Sequence, residues 1–328
     1  MGVMSASGMR VGVVGAGGIA APHVAAWTAL GARVHVYSVD GAGALASRSG
    51  IRVVTSLAAC IDEAEVIDVC TPTFTHDEIV LAAAAAGRHV VCEKPLSLDH
   101  HRAARLVAAC RTAGVKLLPG QVVRYFPEYE AAHRMVHDGT IGRVAVMRLS
   151  RSSAMPVAPW FADPELSGGP IVDQMIHDFD FARWVAGDVV SVYARATGIG
   201  TAPISAHALL RHENGAITQV TGGWGRPEAP FRTAYSIRGA AGGLDHDSQR
   251  SAALRWDIAG PSAGGLLPDF DEVDSPYKRE LADFARSIRE DTTPRVTAED
   301  SLAALDIALA AVASCRSGRP VDPKEVRA

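Results

Sequence analysis

The chain has 328 residues, 48% of them hydrophobic and 21% charged, a length that suits about two domains. A net charge of −4, from 32 basic and 36 acidic residues, argues against a nucleic-acid-binding protein. No apolar run reaches the roughly 20 residues of a membrane span, and no signal peptide is recognisable, so we expect a cytoplasmic protein without a membrane anchor. The five cysteines lack CxxC spacing, so we expect reduced thiols.

The first 119 residues alternate short apolar strands with helical segments. Strands are predicted at residues 10–14, 33–37, 53–54, 66–70, 89–93 and 116–118. Helices are predicted between them at residues 19–30, 42–49, 57–61, 76–86 and 99–113. Because strands that alternate with helices of about ten residues form βαβ units, this part of the chain predicts a parallel sheet and an α/β fold.

From residue 120 onward the pattern changes to strands rich in β-branched and aromatic residues. After a helix at residues 127–138, strands are predicted at residues 144–149, 189–197, 208–212, 217–224, 233–238 and 254–258. The link at residues 213–215 is typical of a hairpin. Two helices close the chain: Pro276 suits a first helical position, and Thr297 opens a T-x-x-D capping pattern. We predict a mostly antiparallel sheet here, and place the domain boundary between residues 119 and 120.

The first predicted strand ends in a glycine turn with the pattern G-x-G-x-x-A, from Gly15 to Ala20. Gly15 permits the tight turn, Gly17 lets the backbone approach a pyrophosphate, and Ala20 keeps helix and strand close. The pattern alone is common, but here a strand precedes it, a helix follows and it opens a βαβ unit. It therefore predicts a dinucleotide site.

The end of the second predicted strand indicates which dinucleotide binds. Asp40 stands where a carboxylate would accept hydrogen bonds from the ribose hydroxyls, which favours NAD over NADP. Ser38 would instead tolerate a 2′-phosphate, but no arginine follows immediately to pair with that phosphate. Asp40 also precedes Gly41 and could simply form a turn, so NADP stays open as the alternative.

Two further segments follow predicted strands and should reach the same edge of the sheet. Thr71-Pro72-Thr73 follows the strand at 66–70, and Glu93-Lys94-Pro95 ends the strand at 89–93. Only four of the 32 basic residues are lysines, so Lys94 stands out in an arginine-rich chain. A partly buried lysine can tune its pKa and move protons, whereas arginine stays protonated. Lys94 is therefore a candidate catalytic residue.

The segment that begins at Gly168 carries the second candidate pair. Asp173 and His177 are four residues apart, a spacing that would place both side chains on one face of a single helix. A carboxylate beside an imidazole can orient a general base near neutral pH, although the same spacing also fits a plain surface pair. We expect no metal site, since no further ligand has usable spacing and the pair His133 and His137 lacks the glutamate of H-E-x-x-H.

Taken together, the glycine turn, Glu-Lys-Pro and the G-G-x-I-x-D-x-x-x-H-D-x-D segment resemble the Gfo/Idh/MocA family of glucose-fructose oxidoreductases, inositol dehydrogenases and rhizopine-catabolism proteins. The resemblance covers residues 10–194 and is weaker beyond. It implies a Rossmann domain at residues 1–119 and a substrate-binding α+β domain with a large open sheet at residues 120–328. It also implies NAD(P)-dependent hydride transfer to or from a hydroxyl of a sugar, cyclitol or related polyol.

The resemblance assigns roles residue by residue. Lys94 corresponds to the family's motif lysine, Asp173 to the substrate-orienting carboxylate and His177 to the proton acceptor. Arg124 and Trp160 are expected to line the substrate pocket. The residues expected to contact the cofactor are Gly15, Gly17, Gly18, Ile19, Ser38, Asp40, Thr71, Pro72, Thr73, His76, Glu93, Lys94 and Gln121. Pro170, where many relatives carry a third glycine, is the main departure from the family pattern.

Two rival functions remain at this stage. Some relatives use the bound cofactor transiently, for glycoside cleavage or elimination. A sensor on the same fold would bind dinucleotide or sugar without catalysis, although it need not keep Lys94, Asp173 and His177. The resemblance further implies a homo-oligomer, a dimer or tetramer, with the open sheet at its interface.

Overall fold

A computed structural model describes residues 6–199, 202–249 and 274–327. The described residues form two compact units. The first unit comprises residues 6–126 and 274–302, and the second comprises residues 127–199, 202–249 and 303–327. The predicted division at 119 and 120 treats each half as continuous, whereas the compact units assign residues 120–126 and 274–302 to the first unit.

Six parallel strands form the sheet of the first unit, in the order β3-β2-β1-β4-β5-β6. The strands are β1 Arg10–Val14, β2 Arg33–Tyr37, β3 Arg52–Val53, β4 Val66–Val69, β5 His89–Glu93 and β6 Leu117–Gly120. Helices of this unit are α1 Ala20–Ala29, α2 Ala42–Ser49, α3 Leu57–Glu63, α4 His76–Ala85, α5 His100–Thr112 and α10 Pro276–Glu290. The predicted parallel sheet is confirmed, and its strand order reverses between β1 and β4, where such sheets bind dinucleotides.

Burial explains why these strands read as continuous apolar runs. β4 is buried at all four positions and β1 at four of five, as expected for a parallel sheet covered on both faces. Asp68, in the middle of β4, is the exception to the apolar pattern and is fully buried. β6 contains Pro119, which the ladder tolerates because β6 lies at the sheet edge.

The second unit contains a six-stranded sheet in the order β12-β11-β7-β10-β9-β8. Its strands are β7 Val144–Ala154, β8 Val189–Ile199, β9 Ala202–His212, β10 Ile217–Gly225, β11 Arg232–Gly239 and β12 Gly243–Asp247. Every neighbouring pair is antiparallel except β7 and β10, so the predicted mostly antiparallel sheet is confirmed. β10 alternates buried and open positions, the pattern of a sheet covered on one face. The predicted strand at residues 254–258 lies outside the described residues.

The described part of the second unit also contains α-helices. They are α6 Pro127–His137, α7 Pro164–Ser167, α8 Gly169–Asp173 and α9 Ile176–Ala186, and α11 Ala298–Ser317 begins in the first unit and continues into the second. α8 contacts β9 and β10, and α9 contacts β7 and β10. Among the residues that the structure describes, no helix is long and apolar enough to cross a membrane.

Helix starts near the C-terminus follow the predicted capping chemistry. Pro276 is the first residue of α10, after Ser275, whose hydroxyl accepts a hydrogen bond from the Lys278 amide at 3.2 Å. Before α11, Thr297 Oγ1 accepts from the Asp300 amide at 3.1 Å while Asp300 Oδ2 accepts from the Thr297 amide at 3.2 Å. This reciprocal pair is the predicted capping box.

Candidate functional site

The glycine turn after β1 is shaped for close backbone approach. Gly15 has φ +111°, and a Cβ there would lie 2.5 Å from the carbonyl oxygen of Cys70, which follows β4. A side chain is therefore excluded on both conformational and steric grounds. At Gly17 and Gly18 an added Cβ would meet no described atom within 4 Å, so their backbone is open to a ligand at the start of α1. Ile19 is the N-cap residue of α1.

Ser38 and Asp40 lie just beyond the end of β2, as predicted. The Asp40 amide donates to Ser38 Oγ at 3.4 Å, and the Asp40 side chain is exposed. Val39 between them is 94% exposed, which is unusual for a valine and leaves an apolar surface beside the two polar side chains. No ion pair to Asp40 is found within the described ranges, so its carboxylate is available to a ribose hydroxyl.

Segments after β4, β5 and β6 reach the same carboxyl edge of the parallel sheet. Thr71, Pro72 and Thr73 follow β4, and Thr73 is buried. The Lys94 amide donates to Glu93 Oε2 at 3.1 Å, and Lys94 is half-buried at the end of β5. The structure thus brings the predicted residues after β1, β2, β4 and β5 to one edge of one sheet.

His76, at the start of α4, is held by protein carbonyls. Its Nδ1 lies 3.0 Å from the Pro95 carbonyl oxygen and its Nε2 lies 3.0 Å from that of Thr71. Burial lowers the pKa of His76, so the neutral ring is favoured, and its one N–H donates to one of these two carbonyls at a time. His76 therefore lies between the segment after β4 and the segment after β5 and contacts both.

Gln121 follows β6 and is completely buried. Neither its amide nitrogen nor its amide oxygen has a hydrogen-bond partner among the described residues. Because a buried unpaired amide costs free energy, this side chain is suited to a ligand that offers both a donor and an acceptor, as a carboxamide does.

Arg124 is 2% exposed and belongs to an ion-pair cluster of the first unit. Its Nη1 donates to Asp300 Oδ2 and to the Arg295 carbonyl oxygen, each at 3.2 Å. The Arg295 guanidinium in turn donates to the Arg124 carbonyl oxygen at 2.8 Å. Arg124 therefore links the turn after β6 to the segment before α11, and its role in substrate binding stays a prediction.

Three predicted site residues lie in the second unit: Trp160, Asp173 and His177. The Trp160 ring stacks on Phe161 at 3.7 Å between centroids. Asp173 and His177 are half-buried. The expectation that they share a single helix is wrong, because Asp173 is the last residue of α8 and His177 is the second residue of α9.

The break between α8 and α9 is held by a buried glutamine. Gln174 Nε2 donates to Ser153 Oγ at 2.8 Å, and Gln174 Oε1 accepts from the Gly223 amide at 3.0 Å. The Met175 amide reaches back to the Pro170 carbonyl at 2.9 Å, five residues earlier, instead of four. Pro170 sits in the first turn of α8, where its missing N–H costs no hydrogen bond.

Next to His177, Asp178 forms a buried ion pair with Arg151 of β7. Arg151 Nε donates to Asp178 Oδ2 at 2.8 Å and its Nη2 donates to Oδ1 at 3.1 Å. The Asp178 carboxylate raises the pKa of Arg151 despite its burial, whereas burial raises the pKa of Asp178 itself. The two N–H···O hydrogen bonds favour the ionised pair. This pair anchors the first turn of α9 to the sheet.

A second buried polar cluster, in the first unit, was not predicted from the sequence. His23 of α1 lies with Nδ1 2.9 Å from Asp68 Oδ2 and with Nε2 3.1 Å from Glu93 Oε1. Trp27 Nε1 donates to Asp68 Oδ2 at 2.7 Å. Glu280 of α10 is fully buried, and neither carboxyl oxygen has a hydrogen-bond partner among the described residues. An aspartate inside an apolar strand was the available signal, since buried acids are rare unless paired.

The first unit therefore fits a dinucleotide by its own geometry. The open glycine backbone, the carboxylate beyond β2 and the unpaired Gln121 amide all lie at the carboxyl ends of parallel strands. Matches to known families agree with this: residues 9–121 match an oxidoreductase family with an NAD-binding Rossmann fold, and residues 129–245 match the GFO/IDH/MocA C-terminal domain. The chain belongs to the Gfo/Idh/MocA oxidoreductase family.

Individual relatives extend the similarity over most of the chain. The myo-inositol 2-dehydrogenase of Thermotoga maritima is 31% identical over 79% of this chain and 79% of its own length. The inositol 2-dehydrogenase of Rhizobium meliloti is 29% identical over 95% of this chain and 98% of its own. The crystal structure of GenD2 from gentamicin A biosynthesis, in complex with NAD, superposes with a TM-score of 0.85 at 27% identity and covers 96% of each chain.

Proposed function

We propose that this Gfo/Idh/MocA oxidoreductase transfers a hydride between a nicotinamide dinucleotide and a ring or secondary hydroxyl of a sugar, cyclitol or related polyol. The observation that carries the proposal is the carboxyl edge of the parallel sheet, where the open glycine turn and Lys94 follow β1 and β5. Relatives named as inositol dehydrogenases support a polyol as the substrate class. The NAD(P)-dependent oxidoreductase chemistry itself follows from family membership.

Three side chains are assigned to the reacting hydroxyl. His177 accepts the hydroxyl proton, and Lys94 donates a hydrogen bond to the same oxygen, where negative charge develops. Asp173 orients the neighbouring hydroxyl or the imidazole. A bound nicotinamide would supply or accept the hydride, and the protein's residues would hold the reacting C–H bond in line with it. Trp160 and Arg124 are each assigned to substrate binding.

The remaining predicted residues are assigned to the dinucleotide. The backbone at Gly17 and Gly18 receives the pyrophosphate at the start of α1. The exposed Asp40 carboxylate accepts from the ribose hydroxyls, which favours NAD over NADP. Gln121, whose buried amide has no partner among the described residues, pairs with the nicotinamide carboxamide.

We further propose that the protein works in the cytoplasm as a homo-oligomer. All five cysteines are free, which suits a reducing compartment. Tyr193, Leu209 and Ile217 are exposed on the same face of the second sheet, opposite the helices, and such an apolar patch is suited to a second copy of the chain.

A screen of sugars and cyclitols with NAD and NADP, following absorbance of the reduced cofactor, tests the function. On a confirmed substrate we expect Lys94→Met to lower kcat about 100-fold or more while the dissociation constant of the dinucleotide changes less than about threefold. Lys324→Met, at an exposed position, is the matched control and should turn over normally. Normal turnover by Lys94→Met would refute the assignment.

The same screen separates the rival functions. Substrate consumption without net reduced cofactor would identify transient use of the dinucleotide. Tight dinucleotide binding without turnover on every polyol would identify a sensor.

A further inference from the structure

Asp68, His23 and Glu93 form a buried triad that the proposed reaction does not use directly. Both ring nitrogens of His23 face carboxylate oxygens, Nδ1 at 2.9 Å from Asp68 and Nε2 at 3.1 Å from Glu93. A neutral imidazole has one N–H, so only the doubly protonated ring can donate to both partners. Although burial opposes it, the Asp68 carboxylate raises the pKa of His23 well above its ordinary value, which agrees with an imidazolium.

The triad ends at the residue that precedes Lys94. While Glu93 Oε1 faces His23, Glu93 Oε2 accepts a hydrogen bond from the Lys94 amide at 3.1 Å. Gly120, its register partner on β6, leaves room for the carboxylate, since a Cβ there would lie 2.9 Å from Glu93 Oε1. Glu93 is therefore held by two hydrogen bonds in a space that Gly120 leaves open. Its Oε2 fixes the peptide group that carries the Lys94 side chain.

A metal site is the competing interpretation of the same residues. Ligand atoms of His23, Asp68 and Cys70 lie within 4.8 Å of one another. A metal would need a thiolate and a neutral imidazole. Both ring nitrogens of His23 already lie within hydrogen-bond distance of carboxylate oxygens, and a doubly protonated ring has no lone pair to offer a metal. The geometry is that of an ion-paired hydrogen-bond network.

We propose that Glu93 and His23 are positioning residues for Lys94: the Glu93 carboxyl group, hydrogen-bonded to His23 and to the Lys94 amide, fixes the peptide at the end of β5 that presents the lysine. The inference rests on the proposed function of Lys94. It adds to the site two buried residues, His23 and Glu93, that would not touch substrate but would fix the backbone position of Lys94.

Glu93→Gln is the decisive variant, because it keeps the shape of the side chain and removes its charge. The new amide can offer its oxygen to the Lys94 N–H and its NH2 group to His23, but His23 can accept only as the neutral ring, so the variant loses the ion pair. We expect kcat to fall about 10- to 100-fold, a larger factor than the change in the KM of the dinucleotide, which Glu93 is also expected to contact.

Glu280→Gln is the matched control in the same buried cluster. Burial, with Glu93 nearby, raises the pKa of Glu280 well above its ordinary value, which favours the neutral carboxyl. An amide replaces it without a change of charge, and kcat should stay within about twofold of wild type. Equal losses in Glu93→Gln and Glu280→Gln would indicate a general packing defect and overturn the proposal.

A double-variant cycle separates positioning from loss of folded protein. Rates are normalised to the number of dinucleotide-binding sites. If the two residues act through one network, His23→Gln/Glu93→Gln should have the kcat of the slower single variant, and the two losses should not multiply. Multiplying losses would contradict a shared network.

Gly120→Ala keeps the inference testable if the charge variants do not fold. It preserves every charge and pushes the flexible end of Glu93 by a few tenths of an ångström. A loss in kcat of about 3- to 10-fold is expected, and normal kcat in this variant overturns the proposal. An inactive Lys94→Met beside a fully active Glu93→Gln refutes only the positioning role, whereas an active Lys94→Met refutes the proposed function itself.

Discussion

The two units support their candidate catalytic side chains in parallel ways. In each unit a buried acid is the immediate sequence neighbour of the candidate: Glu93 precedes Lys94, and Asp178 follows His177. Each acid is paired with a buried base from another element. In both units, a buried ion pair thus fixes the backbone next to a half-buried candidate side chain.

The difference lies in the base. Asp178 pairs with Arg151 through two hydrogen bonds, and an arginine keeps its charge at any accessible pH. Glu93 pairs with His23, whose charge depends on a bound proton and is shared with Asp68. The support in the second unit rests on an arginine whose charge does not depend on pH, whereas the support in the first unit rests on a histidine whose charge does.

The largest effect is expected from breaking the permanent pair. Arg151→Met would leave the Asp178 carboxylate buried without its partner, which should lower the free energy of unfolding by about 3–5 kcal/mol. Arg151 and Asp178 are 5% and 1% exposed, so solvent cannot replace the lost charge. Urea unfolding, followed by fluorescence, measures the change.

Arg151→Met/Asp178→Leu is the control for that experiment. Replacing both charges by apolar groups removes the unpaired carboxylate, so most of the lost stability should return. A double variant as unstable as the single one would show that the arginine acts by its packing and not by its charge.

Much of the fold could be predicted because local patterns and burial agree in the first unit. The predicted strands at 33–37 and 89–93 and the helix at 42–49 match β2, β5 and α2 at both ends. In a doubly covered parallel sheet every strand is an apolar run, so the signal is strong. β12 was missed because its Gly-Leu-Asp-His-Asp sequence is polar and lies at a sheet edge.

The site was harder to predict wherever partners are distant in sequence. The D-x-x-x-H spacing favours one helix, but Gln174 is drawn to Ser153 and Gly223 on two strands, which interrupts it. No local pattern encodes such contacts. Likewise, the pairing of His23 with Glu93 joins residues 70 positions apart.

One glycine in each unit lies too close to its neighbours for a Cβ, but the neighbouring atoms differ: backbone at Gly15 and a side chain at Gly222. Gly15 has φ +111°, and Gly15→Ala would place a Cβ 2.5 Å from the backbone oxygen of Cys70. Moving the backbone to relieve this clash costs more free energy than moving a side chain. We expect a loss of about 2–4 kcal/mol of stability together with weaker dinucleotide binding. In the second unit, Gly222→Ala would meet the Met175 side chain at 2.3 Å, a flexible group, and should cost about 1–2 kcal/mol.

The Met175 contact gives the glycine experiment its control. Gly222→Ala/Met175→Ala removes the clash, so the added cost of Gly222→Ala should shrink in that background. No such rescue is available to Gly15→Ala, because its clash is with the main chain. Equal stability losses for the two single glycine variants would contradict this distinction.

The smallest effect concerns pH and tests whether the support in the first unit titrates. The folded-state pKa of His23 is raised above 6.5 against the pull of burial, by Asp68, and burial raises that of Glu280 above 4.5. The folded chain therefore binds these protons more tightly than the unfolded chain. The contribution of His23 is complete below about pH 6.5 and is lost as pH rises through its folded value. The contribution of Glu280 is complete below about pH 4.5 and is lost as pH rises from there through its own folded value.

Glu280→Gln separates the two contributions, because an amide has no proton to lose. Besides the neighbouring Asp283 on α10, the groups that face Glu280 are the triad residues His23, Asp68 and Glu93, and all of them remain in the variant. Melting temperatures measured from pH 6 to pH 9 should fall less steeply for Glu280→Gln than for wild type, while a decline due to His23 persists. Parallel melting curves across that range would show that Glu280 does not hold its proton in the folded protein. The pH dependence that separates the His23–Glu93 pair from the Arg151–Asp178 pair would then rest on the His23 imidazolium alone.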